Sequence, residues 1–469
     1  MSPIFKLIWI LSFVSLSLDG WAFESGSSSD PEKLWQEFMQ QGNQCREQRR
    51  LADAERNYLA AVSTAQQFGF EDPRLAASLN ALGTAYHEQG RYADAERCYR
   101  KAQTIWQAAS GVENENVATC LNNLARLYQD QGQFAQAEPL VKRALEIEEK
   151  LFGAGHLERA KSLDYLGDVY SAQALYAQAE SVYRQSLTIR EKVLPPDDPQ
   201  IAISLHNLAQ LNFHLGQYTE AETLHRKALG IRRRALSETD PAIINSLGGL
   251  ARVYREEGRL KEAESATRQV IDLMEKSVGS EHPELPLVLN NLADICQAQR
   301  RYSEAESIYQ KALAANERLL GQDHPDTAKI INGLGTLYFE RKNYGKAETL
   351  YRQALTIKEK SLGANHPSVA TTLNNLGQIF LLQHRYVDAE PLFRRSLEIR
   401  EAHLPKNHPD IATTLNDYAS LLRKTNRKSE AREMSTRANE ILAKNQSEKL
   451  SRQSVHVKVL IDSARKSTD

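Results

Sequence analysis

Apolar residues recur through most of the chain at i, i+3, i+4 and i+7, the stripe of an amphipathic helix. From Leu373 to Thr414, a first run places Leu373, Leu376, Gly377 and Phe380 on one face. A second run does the same with Ala389, Phe393, Ser396 and Leu397. A polar turn around Arg385 and Tyr386 separates them; other copies read Gln89-Gly90 or Glu257-Gly258, where glycine can supply the positive φ that ends a helix. The pattern predicts a pair of helices.

That pair repeats. Leu-Asn or a variant stands at Leu79, Leu121, Leu163, Leu205, Leu247, Leu289, Ile331, Leu373 and Leu415, every interval being 42 residues. A degenerate copy begins near Phe38, so about ten pairs are expected between residues 32 and 446. Asp-Pro or His-Pro stands between copies, as at Asp72-Pro73, Asp198-Pro199, Asp240-Pro241, His282-Pro283, His324-Pro325, His366-Pro367 and His408-Pro409. Proline suits the first helical position, and a preceding Asp caps free amides. The four histidines are not read as a metal series. Equivalent atoms of successive pairs lie about 8–10 Å or more apart, whereas zinc holds its ligands within about 2 Å.

The two ends differ. Lys6 precedes an apolar run from Leu7 to Leu18, followed by small residues at Gly20 and Ala22, the layout of a secretory signal peptide. The run would reach about 18 Å in helix, short of the roughly 30 Å hydrocarbon core, so no stable membrane span is expected. Residues 1–22 are read as the signal peptide, 23–31 as a linker, and the protein as secreted or periplasmic; a buried N-terminal helix is the alternative. In the tail, 447–469, Val455, Val457, Val459 and Ile461 alternate like a strand that has no partner in a helical array. It would cover a groove, pair with another chain or stay without order.

Composition agrees with a helical, soluble chain. The 23 Gly and 15 Pro in 469 residues make about 8%, against about 12% in average proteins, too few turn residues for an all-β fold. A net charge of −1 lacks the basic field that phosphate binding requires, so nucleic acid is not an expected partner. Cys45, Cys98, Cys120 and Cys296 form no CxxC pair, and no metal site or cofactor is expected. A single bridge between Cys98 and Cys120 stays open.

The motifs LNNLA, YxEAExLYxxAL and LGxxHP, with Leu124, Ala125, Tyr128, Ala137 and Ala144 and again Leu334, Gly335, Tyr338, Ala347, Tyr351 and Ala354, resemble the tetratricopeptide repeat of the 42-residue, kinesin light chain-like type. The resemblance covers about 410 residues. Departures fall at Phe38 and Cys45, at Gly248 and Gly249 in place of an Asn pair, and at Lys428. It implies an all-α fold, a right-handed α-α superhelix or solenoid, and an interaction scaffold. The signal peptide argues against a cytosolic motor adaptor, and exported bacterial-type repeat proteins are the nearer analogy.

Positions +1, +5 and +8 of each first helix lie at about 100°, 140° and 80° from the repeat Leu, on a flank that the core leaves unused. In tetratricopeptide proteins this flank lines the concave groove. Asn122, Arg126, Arg252, Arg255, Asn290, Asn332 and Asn374 fall on it and are expected to bind a protein or peptide partner. Asn amides would hold main chain, and the arginines would pair with acidic side chains. The alternative is that the Asn residues pack neighbouring helices together. Phe213, Phe339 and Leu381 are apolar on the same flank. The chain lacks GxxxxGK[ST], GxSxG, HExxH and GxGxxG, so a non-enzymatic scaffold is expected. The alternatives are a self-assembling structural rod and an enzyme using acids such as Asp164 and Asp168.

Overall fold

A computed structural model describes residues 30–444 except 49, 174, 279–281, 283, 405 and 407. The signal peptide, most of the linker and the alternating tail lie outside the described residues. The described residues form two compact units, divided between Gly153 and Ala154.

The first unit holds three helix pairs: α1 (Pro31–Glu47) with α2 (Leu51–Ala65), α3 (Pro73–Glu88) with α4 (Tyr92–Ser110), and α5 (Glu115–Asp130) with α6 (Phe134–Phe152). The second holds α7 (Leu157–Ala172) with α8 (Tyr176–Val193), α9 (Pro199–His214) with α10 (Tyr218–Ala235), and α11 (Pro241–Glu256) with α12 (Leu260–Val278). It continues with α13 (Leu285–Ala298) and α14 (Tyr302–Leu320), α15 (Pro325–Glu340) and α16 (Tyr344–Leu362), and α17 (Pro367–Leu382) and α18 (Tyr386–His403). The last pair is α19 (Pro409–Lys424) with α20 (428–444). No strand occurs among the described residues, and the fold is the all-α solenoid of helix pairs that the repeat implies.

The Asp-Pro and His-Pro pairs start first helices by one device. Asp72 Oδ1 accepts from the amide of Arg74 at 2.9 Å, and Asp198 and Asp240 do the same at 2.8 Å. His324, His366 and His408 accept through Nδ1 from the amides of Asp326, Ser368 and Asp410, each at 3.2 Å. An imidazole nitrogen thus replaces a carboxylate oxygen at the same cap.

In most pairs the second helix lays a large side chain on a small residue of the first. A Cβ on Gly83 would come within 2.9 Å of the Tyr99 ring, and on Gly335 or Gly377 within 2.8 Å of Tyr351 or Phe393. Those rings are buried. Close helix approach therefore requires the absent side chain, as the small residue in the apolar stripe suggested.

First helices end in one residue of left-handed backbone. Gly90, Gly132, Gly216 and Gly258 occupy this slot with φ of 72–74°, but later copies place Arg300 (62°), Lys342 (59°), His384 (61°) and Asn426 (63°) there. A side chain with a Cβ is strained in that region. Lys342→Gly should therefore raise unfolding free energy by about 0.5–1 kcal/mol, whereas Gly335→Ala should lower it by about 1–3 kcal/mol. Urea unfolding followed by circular dichroism checks both directions.

Candidate functional site

In the first unit the flank begins on α3 and α5. Asn80 Oδ1 accepts from Asn123 Nδ2 at 2.9 Å, joining the two first helices. Asn122 is 8% exposed, and its Nδ2 donates to the buried Glu148 at 3.4 Å. Arg126 is exposed.

In the second unit, Asn290 and Asn374 are each 3% exposed. Asn290 Nδ2 donates to Asp294 at 3.3 Å, and Asn374 Nδ2 to Asp417 at 2.7 Å, a carboxylate that also accepts from Gln378 at 2.7 Å. Asn332, half-buried, accepts from Thr372 at 3.1 Å. Three of the four candidate asparagines thus turn their amides inward. For Asn374 the reason is register: its +1 position faces the next first helix, where a residue 43 later provides the hydrogen-bond partner. Asn80 with Asn123 and Asn332 with Thr372 likewise join successive first helices, whereas Asn122 bonds to α6 and Asn290 within α13.

The acids considered for catalysis are likewise engaged. Asp164 is buried and ion-paired with Arg190 at 2.6 Å, and burial pushes its carboxyl above the usual range although Arg190 opposes this. Asp168 accepts from Tyr183 at 2.5 Å. The cationic slot of Arg190 recurs at Arg232, Lys358 and Arg400. Each reaches the next first helix: Arg232 Nη1 donates to Ala242 O at 2.9 Å and Ser246 Oγ at 2.6 Å, and Lys358 Nζ to Ser368 O at 3.1 Å and Thr372 Oγ1 at 2.9 Å. Burial pulls the Lys358 ammonium down to about 8.

Arg252 and Arg255 stand apart on α11. Both are partly exposed. Arg252 donates to Gln210 on α9, and its guanidinium carbon lies 5.0 Å over the Phe213 ring. Arg255 meets Glu256 at 3.3 Å. Beneath Arg252, His206 and His225 lie edge to face with ring centroids 5.1 Å apart. His225 is fully buried against Gly249, and neither of its nitrogens has a hydrogen-bond partner among the described residues. Sequence reasoning passed over this pair. Its signal was present in the register, where His225 occupies the slot of Tyr99, Tyr183, Tyr309 and Tyr351.

One cluster has the composition of a metal site: ligand atoms of Glu264, Cys296 and Glu304 lie within 4.8 Å of one another. Arg268 already meets Glu264 at 2.8 Å and Glu304 at 2.9 Å, and Arg301 meets Glu264 at 2.6 Å, so two guanidinium groups hold the place of a cation. Cys98 and Cys120 are free thiols, pushed up to about 11 and about 12, mainly by burial, so the bridge is not formed.

Burial pulls the His206 imidazole down to about 4 and that of His225 to about 3, with Arg252 and Arg232 adding to the shift. Both rings are therefore neutral when folded, while the unfolded chain takes up protons near pH 6.5. Their contribution to stability is complete above pH 6.5 and is lost as pH falls towards 4 and 3. Melting temperature measured from pH 7 to 4 should fall, and should fall less steeply in His225→Phe.

The model of the tetratricopeptide repeat family matches residues 38–108, 74–147, 116–192, 200–276, 284–360 and 330–402. A search of curated proteins finds no match. Among solved structures, a kinesin light chain-type protein of Podosopora anserina with nearly identical TPR-like repeats is 28% identical over 44% of this chain and 99% of that one, with a TM-score of 0.40. A Rap protein complexed with competence and sporulation factor is 14% identical over 80% of this chain and 99% of that one, with a TM-score of 0.53. A signal transduction ATPase with numerous domains and a tetratricopeptide repeat sensor, from Pyrococcus horikoshii, is 16% identical over 80% of this chain and 53% of that one, with a TM-score of 0.54.

Proposed function

Because the chain belongs to the tetratricopeptide repeat family, we propose that it is a protein-interaction scaffold that binds a protein or peptide segment along the flank of its first helices. The observation that carries this reading is the mixed chemistry of that flank in the second unit. Half-buried Phe213, Phe339 and Leu381 share it with Arg252, Arg255 and Asn332. Half-buried apolar groups and cations on one flank suit a partner that is partly apolar and partly acidic. Core packing does not call for arginine at these positions.

The reading is non-enzymatic. Asp164 is tied to Arg190 and Asp168 to Tyr183, which leaves neither carboxylate poised over an open pocket. No described helix is long and apolar enough to cross a membrane. The N-terminal pattern supports export to the periplasm or the medium, with a mature chain beginning near Phe23.

Two measurements test this. A photo-crosslinking residue placed at Phe339 or Leu381 should capture a partner from an extract of the protein's own compartment. The same residue at Thr356, exposed on the second helix α16, should capture none. Capture only from Thr356 overturns the flank reading, and adducts of twice the chain mass favour a self-assembling rod. Mass spectrometry of the native protein should find an N-terminus near residue 23; an intact Met1 overturns export.

A further inference from the structure

The slot that holds Tyr58, Tyr99, Tyr183, Tyr309, Tyr351 and Phe393 in other pairs holds Thr267 on α12. Thr267 is buried and its hydroxyl donates to Ala263 O at 2.8 Å, so it fills none of the space a ring would take. At the neighbouring +1 position, where six pairs carry Asn, α11 carries Gly248, and a Cβ there would meet nothing within 4 Å. The two departures coincide in space. Between α11, α12 and α13 they leave a recess of about 60 Å³, against about 10–15 Å³ that one water requires. Ala251, Val270, Val288 and Ile295 give it apolar walls, and Arg252 and Arg255 line it as well.

The charge at this recess is not neutralised by the chain itself. Among the described residues no carboxylate pairs with Arg252, whose partners are the neutral Gln210 and the Phe213 face. Arg255 has only the adjacent, partly exposed Glu256, a kind of pair that contributes little. Asp294 faces Arg255 from α13, but its oxygens accept from Tyr309 and Asn290. Burial lowers the Arg252 pKa, with Arg255 adding to it, so an incoming anion would relieve both desolvation and like-charge repulsion.

We propose that this recess is the specificity pocket of the scaffold, taking a Val, Leu or Ile side chain of an extended partner segment whose adjacent Asp or Glu pairs with Arg252 and Arg255. The proposal rests on the binding of a protein segment along the first-helix flank. The volume suits a branched aliphatic group. The two guanidinium groups select carboxylate over amide or ammonium.

The test is selection of a random 12-residue phage-displayed peptide library on the full chain. Enriched peptides should place Asp or Glu beside Val, Leu or Ile. A synthetic peptide of the enriched sequence should bind about tenfold or more weakly to Arg252→Ala/Arg255→Ala, and likewise when its aliphatic residue becomes Gly. Gly248→Asn gives an independent check. It restores the residue common at this position, its Cβ meets no atom within 4 Å and it improves helix propensity, so it should keep the fold while covering the recess. It too should weaken the peptide about tenfold or more, with helicity and melting temperature retained. Enriched peptides centred on Trp, or peptides that bind Gly248→Asn as tightly as wild type, overturn the pocket and leave the scaffold reading standing. No enrichment at all on the wild-type chain overturns the pocket and the scaffold reading together.

Discussion

Each helix pair buries its apolar stripe only against its partner helix and the neighbouring pairs, and in most pairs the contact that sets the distance is a ring of the second helix lying on a residue without a large side chain in the first. Tyr99 on Gly83, Tyr351 on Gly335 and Phe393 on Gly377 are one joint used again and again. A Cβ at these glycines would fall inside van der Waals distance of the ring, so the glycine sets how closely these helices approach. Turn length, cap position and the 42-residue spacing then follow from bringing the next copy to the same distance.

Polar groups do the second part of the joining. Buried cations at Arg190, Arg232, Lys358 and Arg400 reach hydroxyls and carbonyls of the following first helix, and the +1 residues Asn332 and Asn374 bond across to the same neighbour. Such groups have to be satisfied once water is excluded, and they are satisfied only in the correct register. They therefore penalise a slipped stack, which apolar packing of similar residues would tolerate.

The repeat departs from itself in one region. Across α9 to α13 the Tyr slot changes to His225 and then Thr267, and the Asn slot to His206 and then Gly248. The first change buries two neutral imidazoles beneath Arg252, and the second opens a recess beside it. A regular copy at these positions would close the flank. Irregularity in an otherwise uniform array thus gives one place a chemistry that its neighbours lack.

Period, pairing, caps and the small-residue notch were legible in the sequence because they are local: 3.6-residue spacing, Asp or His before Pro, and a glycine four residues after the repeat Leu all act within one copy. The helical angle alone likewise put Arg252 and Arg255 on the flank. The tertiary structure decided what the asparagines do, since Asn374 meets Asp417 only when two copies are stacked, and a helical wheel has no information about the neighbouring helix. It also decided that Thr267 matters. Threonine in a helix is unremarked in one dimension, and becomes a recess only when the walls supplied by α11 and α13 stand around the volume that the missing ring would have filled.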